Sequence, residues 1–172
     1  MHKKNKSRLA RLPLKFKVAV HDESIFIYDV IIRKVWVLKG SRPIMLATGS
    51  HRRVVVSGII CEDGSQLFRT YDSADSDSFL DLLHCVLRKY NYLALFVDKA
   101  KWHREKRVRE LMRKNRHRLK IFWFPSGHPE LNPMEECWRQ GKDNVLGSMF
   151  FDRFSDFKTA VRAYYRTKRF KL

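Results

Sequence analysis

Negative charge is in short supply in this sequence. Its 172 residues hold 18 Asp and Glu against 36 Lys and Arg, a formal net charge of +18 at neutral pH. An excess of that size points to a polyanionic partner, of which nucleic acid is the commonest. Cysteine is scarcer still. Cys61, Cys85 and Cys137 lie far apart and form no CxxC or Cys/His pattern, which excludes a disulfide framework and a cysteine zinc site and leaves three reduced core residues. Long apolar runs are missing as well. No stretch is long enough to span a bilayer and no signal-peptide core follows the basic start, so a membrane surface is set aside as the partner and the chain reads as soluble and intracellular. There are no internal repeats and no linker. A hydrophobic content of 44%, with 13% aromatic residues, supports one folded body.

The first fifteen residues are basic and short of apolar periodicity, and are expected to be an arm able to touch phosphates. A strand is predicted over Phe16–His21, ending in Asp22-Glu23. A hairpin follows over Ile25–Ile32 and Val35–Leu38, then two strands, Val54–Cys61 and Gln66–Tyr71, joined by a turn at Asp63-Gly64. Residues 72 to 77 form a polar cluster able to cap a helix whose inner face is Phe79, Leu83, Val86, Leu87 and Tyr90. Tyr92–Val97 is an unbroken apolar run, as in a strand covered on both faces, and it stops at Asp98.

Residues 99 to 120 hold eleven Lys and Arg against Glu105 and Glu110. Val108, Leu111 and Met112 give them a narrow inward stripe, so a helix with a basic outer face is predicted. Its candidates for DNA contact are Lys101, His103, Arg104, Lys106, Arg107, Arg113 and Lys114. For His103 a simple helix-start role is equally open. A last strand is predicted over Leu119–Phe124, and a C-terminal helix with Phe154, Phe157, Val161, Tyr164 and Tyr165 inward. Trp102, Trp123 and Trp138 read as packing residues, and Asp63, Asp72, Asp75 and Asp77 as turn and cap residues.

Between the last strand and that helix lies a strong helix start. Asn132 can cap, Pro133 suits the first helical position, and Glu135 stands where a capping-box carboxylate reaches back. At about 100° per residue Met134, Trp138 and Val145 share a face, with Glu135 at its edge and Glu136 pointing away. If the helix after the antiparallel strands is a right-handed crossover, the Tyr92 strand lies parallel to the Phe16 strand. Asp22 and Asp98 then end neighbouring strands, and Glu135 can be brought across the same edge. Alternation along the strand turns Glu23 to the opposite face. Three clustered carboxylates repel unless cations fill them. Oxygen ligands of this kind suit Mg²⁺ or Mn²⁺, two of which, about 3.5–4 Å apart, can drive in-line displacement at phosphorus.

These residues also carry a resemblance. Pro129-Glu130-Leu131-Asn132-Pro133-Met134-Glu135-Glu136-Cys137-Trp138 resembles the third catalytic motif of DDE transposases of the mariner superfamily, in particular the insertion-sequence type. His21-Asp22-Glu23-Ser24 is similar to the first motif, Val35-Trp36-Val37-Leu38-Lys39-Gly40 to the segment after it, and Phe96-Val97-Asp98-Lys99-Ala100 through His103 to the second. The spacing agrees, with 75 residues between Asp22 and Asp98 and 36 between Asp98 and Glu135. The resemblance implies a ribonuclease-H-like α/β fold over residues 16–172, a mixed five-stranded sheet with three antiparallel strands then two parallel, flanking helices and an inserted hairpin. It implies Asp22, Asp98 and Glu135 as catalytic and metal-binding residues, two Mg²⁺ or Mn²⁺ ions, and cleavage of transposon ends followed by strand transfer into target DNA with a TA preference. It further implies a homodimer on DNA and a prokaryotic, cytoplasmic, nucleoid-associated setting. Two departures stand out. Lys99 replaces the usual Asn, and no helix-turn-helix fits before the first strand, so end recognition is expected from another chain or segment. Two other readings share the charge and the carboxylates, a ribonuclease-H-fold nuclease without strand transfer and a non-catalytic DNA-binding remnant.

Overall fold

The computed structural model describes residues 3–29, 38–41, 44, 47–125, 132–147 and 150–170. The elements in order are helix α1 (Lys3–Ala10), strands β1 (Lys17–Ile27), β2 (Arg53–Cys61) and β3 (Gln66–Tyr71), helix α2 (Ser76–Lys89) and strand β4 (Leu93–Val97). A 3₁₀ turn (Trp102–Arg104), helix α3 (Lys106–Lys114), strand β5 (Leu119–Trp123) and helices α4 (Met134–Leu146) and α5 (Phe154–Thr167) complete the chain. The five strands form one sheet in the order β3-β2-β1-β4-β5. β1, β2 and β3 pair antiparallel, whereas β4 runs parallel to β1 and β5 parallel to β4. This is the expected mixed sheet. All five residues of β4 are buried, because helices cover both faces of the central strands.

Local chemistry explains most boundaries. Asp75 caps α2 in a reciprocal box with Ser78, its carboxylate accepting the Ser78 N–H at 2.9 Å. The β2–β3 turn closes on Asp63, whose carboxylate accepts the Ser65 N–H at 2.9 Å, with Gly64 at a φ of 77° that favours glycine. On one face of the sheet, Phe79, Leu82, Leu83 and Val86 of α2 and Val108 of α3 bury against Ala19, Ile59, Leu95 and Val97. On the other, Met134, Trp138 and Val145 of α4 and Phe157, Val161 and Tyr165 of α5 bury against Phe26, Val54, Val56 and Ile60. Each such side chain contributes about 1.5–3 kcal/mol when fully buried. The three cysteines are buried and free. Among the described residues no helix is long and apolar enough to cross a membrane.

Three expectations change. β1 does not stop at Asp22 but pairs with β2 through Ile27, so residues 25 to 27 belong to it and not to a separate hairpin. The carboxylate need not end the strand, since Trp138 supplies it with a donor inside the fold. Residues 28, 29 and 38 of that hairpin lie outside any strand, and 30 to 37, Trp36 among them, lie outside the described residues. The basic start is partly helical, and Leu9 and Leu12, three apart, pack α1 and its end against Phe96 and Phe122. The single helix expected over residues 99 to 120 is instead a 3₁₀ turn and the nine-residue α3, separated by extended Glu105.

Candidate active site

Strand register sets Asp22 of β1 beside the end of β4, where Asp98 follows Val97. The parallel β1–β4 ladder pairs Val18 with Ala94, Ala19 with Leu95 and Val20 with Phe96, and the same offset carried two residues on sets Asp22 level with Asp98. Asp22 faces the α4 side of the sheet, where its Oδ2 accepts the Trp138 indole N–H at 2.7 Å. Burial lifts the Asp22 carboxyl to about 6, against the pull of the bonds from Trp138 and the Glu23 backbone. The antiparallel partner of Asp22 is Gly58. A Cβ on Gly58 would run into Phe68 Cε1 and lie 2.9 Å from Met134 Cε, so the bare backbone is what lets the first turn of α4 seat beside Asp22.

That turn carries Glu135. The Asn132 side chain accepts the Met134 N–H at 3.1 Å, and the Asn132 carbonyl accepts the Glu135 N–H at 3.3 Å, so Asn132 organises the helix start as expected. The reciprocal bond from Glu135 back to the Asn132 N–H is absent among the described residues, which leaves the exposed Glu135 carboxylate uncommitted to a capping box. Glu135 precedes Trp138, the donor to Asp22, by about one helical turn. No hydrogen bond joins Glu135 to either aspartate among the described residues. Glu136 points away, held by Arg139 at 2.6 Å and by Gln140 at 2.8 Å.

Asp98 is held from the opposite side. Its Oδ1 accepts the Ala100 N–H at 2.9 Å and lies 2.6 Å from His103 Nδ1, while His103 Nε2 lies 2.9 Å from Glu23 Oε1. His103 is fully buried with both ring nitrogens engaged, which corrects its assignment as a DNA-contacting residue, since no phosphate can reach it. Burial works against the charged imidazole, but the bonds to Asp98 and Glu23 outweigh it and hold its pKa up at about 9. Burial likewise opposes ionisation of Asp98 and Glu23, and the facing histidines bring both below their ordinary values. Glu23 does lie on the face opposite Asp22, as expected, yet it reaches Asp98 through His103. No spacing rule signals that connection. The Trp138 contact had one available signal, because a buried indole N–H seeks an acceptor.

The other basic candidates, Lys101, Arg104, Lys106, Arg113 and Lys114, are exposed. Arg107 is paired with Asp77 at 2.8 Å and Glu105 at 3.3 Å, which neutralises part of its charge. Lys99 is exposed.

A mixed sheet of this order, with two aspartates level on its central parallel strands and a glutamate on the first turn of the helix packed beside them, defines a ribonuclease-H-like fold. The chain belongs to the DDE superfamily endonucleases, whose family model matches residues 17–158, from the first residue of β1 into α5. In fold it is similar to the Mos1 transposase in its paired-end complex with the left transposon end, at a TM-score of 0.70 and 15% identity, with 96% of this chain and 52% of that one covered. The isolated catalytic domain of Mos1 mariner transposase superposes with a TM-score of 0.65 at 12% identity, covering 96% of this chain and 78% of that one. A Mos1 paired-end complex with Mg matches with a TM-score of 0.70 at 14% identity, covering 96% and 52%. The chain thus spans about half the length of the transposase chains in those complexes. A sequence search of curated proteins finds no match.

Proposed function

We propose that this chain is the catalytic part of a DNA transposase, cutting DNA phosphodiester bonds at transposon ends and joining the new 3′-hydroxyl to target DNA. Asp22, Asp98 and Glu135 are its catalytic and metal-binding residues. The observation that carries the reading is the alignment of Asp22 with Asp98 beside the Glu135 turn, in a chain of DDE superfamily endonuclease type. The Mos1 complexes hold transposon-end DNA, and two were determined with Mn and with Mg, which supports DNA and a divalent cation here.

The residues suit such a cation. All three donors are carboxylate oxygens, the set preferred by Mg²⁺ and Mn²⁺. The half-buried Asp22 carboxylate, lifted to about 6, is a charge that a cation relieves. Two bound ions supply activation of the attacking water or 3′-hydroxyl and stabilisation of the leaving oxygen. The chain's own side chains do the positioning. Trp138 fixes one oxygen of Asp22, His103 and the Ala100 N–H fix one of Asp98, and Asn132 sets the turn that presents Glu135. Lys101, Arg104, Lys106, Arg113 and Lys114 retain the polyanion that an acidic site alone repels. By the same reading the chain works as a dimer on DNA, prefers TA targets, and takes end recognition from a helix-turn-helix in another segment or chain.

The test is Mn²⁺ binding at neutral pH by wild type, Asp22→Asn, Asp98→Asn and Glu135→Gln, followed by cleavage and joining of end-containing DNA. Saturable binding weakened at least tenfold in each variant, with joining by the wild type alone, is the expected result. A folded wild type that binds no Mn²⁺ overturns the enzyme, and cleavage without joining reduces it to a nuclease.

A further inference from the structure

The face of β1 turned away from Trp138 carries a buried polar chain that core packing does not call for. Ser57 Oγ lies 2.9 Å from His21 Nε2, His21 Nε2 lies 3.6 Å from Glu23 Oε1, and Glu23 Oε1 lies 2.9 Å from His103 Nε2. The chain ends at Asp98 Oδ1, 2.6 Å from His103 Nδ1. His21 and His103 are 1% and 0% exposed, and Phe79 packs on both rings at centroid distances of 4.9 and 4.1 Å. Apolar side chains fill such space without the desolvation that imidazoles and a carboxylate incur. The network instead ends on one particular oxygen. Asp98 Oδ1 takes both the His103 and the Ala100 bonds, whereas no hydrogen bond reaches Oδ2 among the described residues, and the Asp98 side chain remains 52% exposed.

We propose that Glu23 and His103 are positioning residues: Glu23 holds the His103 ring, the ring holds Asp98 Oδ1, and Oδ2 is thereby presented to the divalent cation. This rests on the metal-binding role proposed for Asp98. Neither Glu23 nor His103 touches the ion. Outer partners of ligating carboxylates act in this way, and their loss weakens metal binding by about 10–100-fold.

The experiment is a Mn²⁺ titration, read by the loss of the free-ion paramagnetic resonance signal, with a thermal melt of each metal-free sample. The proteins are wild type, His103→Phe, Glu23→Ala, the double variant and Glu23→Gln. His103→Phe keeps a ring against Phe79 but removes the N–H to Asp98, and is expected to weaken Mn²⁺ binding about tenfold or more. Glu23→Ala weakens it as well, and the double variant is no weaker than His103→Phe, because both changes act through one bond. Glu23→Gln retains an acceptor for the His103 N–H and stays close to wild type. Lower melting temperatures with unchanged Mn²⁺ affinity make the network purely structural and overturn the proposal. So do equal affinities for Glu23→Ala and Glu23→Gln, a comparison that does not depend on the folding of His103→Phe. Complete loss of binding in Glu23→Gln overturns it too, by making Glu23 itself a ligand. Wild type that binds no Mn²⁺ removes the metal function and this inference together. Wild type and His103→Phe binding equally removes the positioning alone.

Discussion

Asp22 and Asp98 are each held by a ring N–H, an indole from α4 on one face of the sheet and an imidazole from the 3₁₀ turn on the other. The indole is neutral and leaves Asp22 undercompensated. Trp138→Phe keeps the packing on Phe68 and Tyr165 but removes a bond that favours the ionised carboxyl. The Asp22 pKa should therefore climb beyond about 6, and Mn²⁺ affinity at pH 7 should fall about three- to tenfold, since the lost bond is worth about 0.5–1.5 kcal/mol. Titrations at pH 7 and 8 check the sign, because the deficit must shrink as the carboxyl ionises. His103 behaves oppositely. Its folded pKa of about 9 lies above the ordinary 6.5, so its contribution to stability is complete below about pH 6.5 and is lost as the pH rises through 9. In metal-free buffer, the melting-temperature gap between wild type and His103→Phe should narrow over that range. A constant gap removes the charge from His103. At this scale the family motifs singled out Asp22, Asp98 and Glu135, the end of β4 and the capped α4 start agree with the last two, and Asp22 stands in mid-strand, not at the strand end the sequence suggested. The partners that hold them were not legible. Alternation shows which face Glu23 takes, but not that a histidine 80 residues later lies beneath it.

Among the elements, α4 matters most, and its seat depends on a glycine. Gly58→Ala forces Phe68 and Met134 aside and should destabilise the fold by about 1–3 kcal/mol, the usual cost of overpacking. Because Met134 adjoins Glu135, cleavage should drop by more than the melt explains. Gly141→Ala is the control. Its Cβ strikes the Tyr165 hydroxyl between α4 and α5, breaking the 3.1 Å bond to the Cys137 carbonyl, and meets the sheet only at the Phe26 ring, 3.2 Å away and four residues along β1 from Asp22. Comparable destabilisation with cleavage preserved in Gly141→Ala separates the seat of the helix from its stability. Melts and cleavage rates on both variants decide. Most elements could be read within a residue or two, since β2, β3, β4 and α5 follow clear apolar periods. β1 misled because a carboxylate pair in mid-strand looks like a terminus until a donor from another element satisfies it. α1 was hidden by its lysines, with only Leu9 and Leu12 marking its contact with β4 and β5.

Over the whole molecule, the +18 charge is distributed so that the sheet interior holds carboxylates and histidines while α3 and the turn before it face outward with cations. DNA affinity should fall steeply with salt. Replacing Lys101, Arg104, Lys106, Arg113 and Lys114 by Gln should flatten the plot of log affinity against log salt by about 0.9 for every phosphate contact removed. An unchanged slope places the DNA elsewhere. The sheet order was also legible at this scale, because a right-handed crossover from β3 through α2 leaves β4 a place beside β1.

The β1–β4 ladder has one last consequence. The offset that aligns Asp22 with Asp98 also aligns Ala19 with Leu95 in the core, so a slip of one residue would turn apolar side chains to the wrong face at the same time as it parted the aspartates. A copy with the wrong register would therefore be at once sticky and without the proposed site, so the packing that hides the core also guards the placement of the carboxylates.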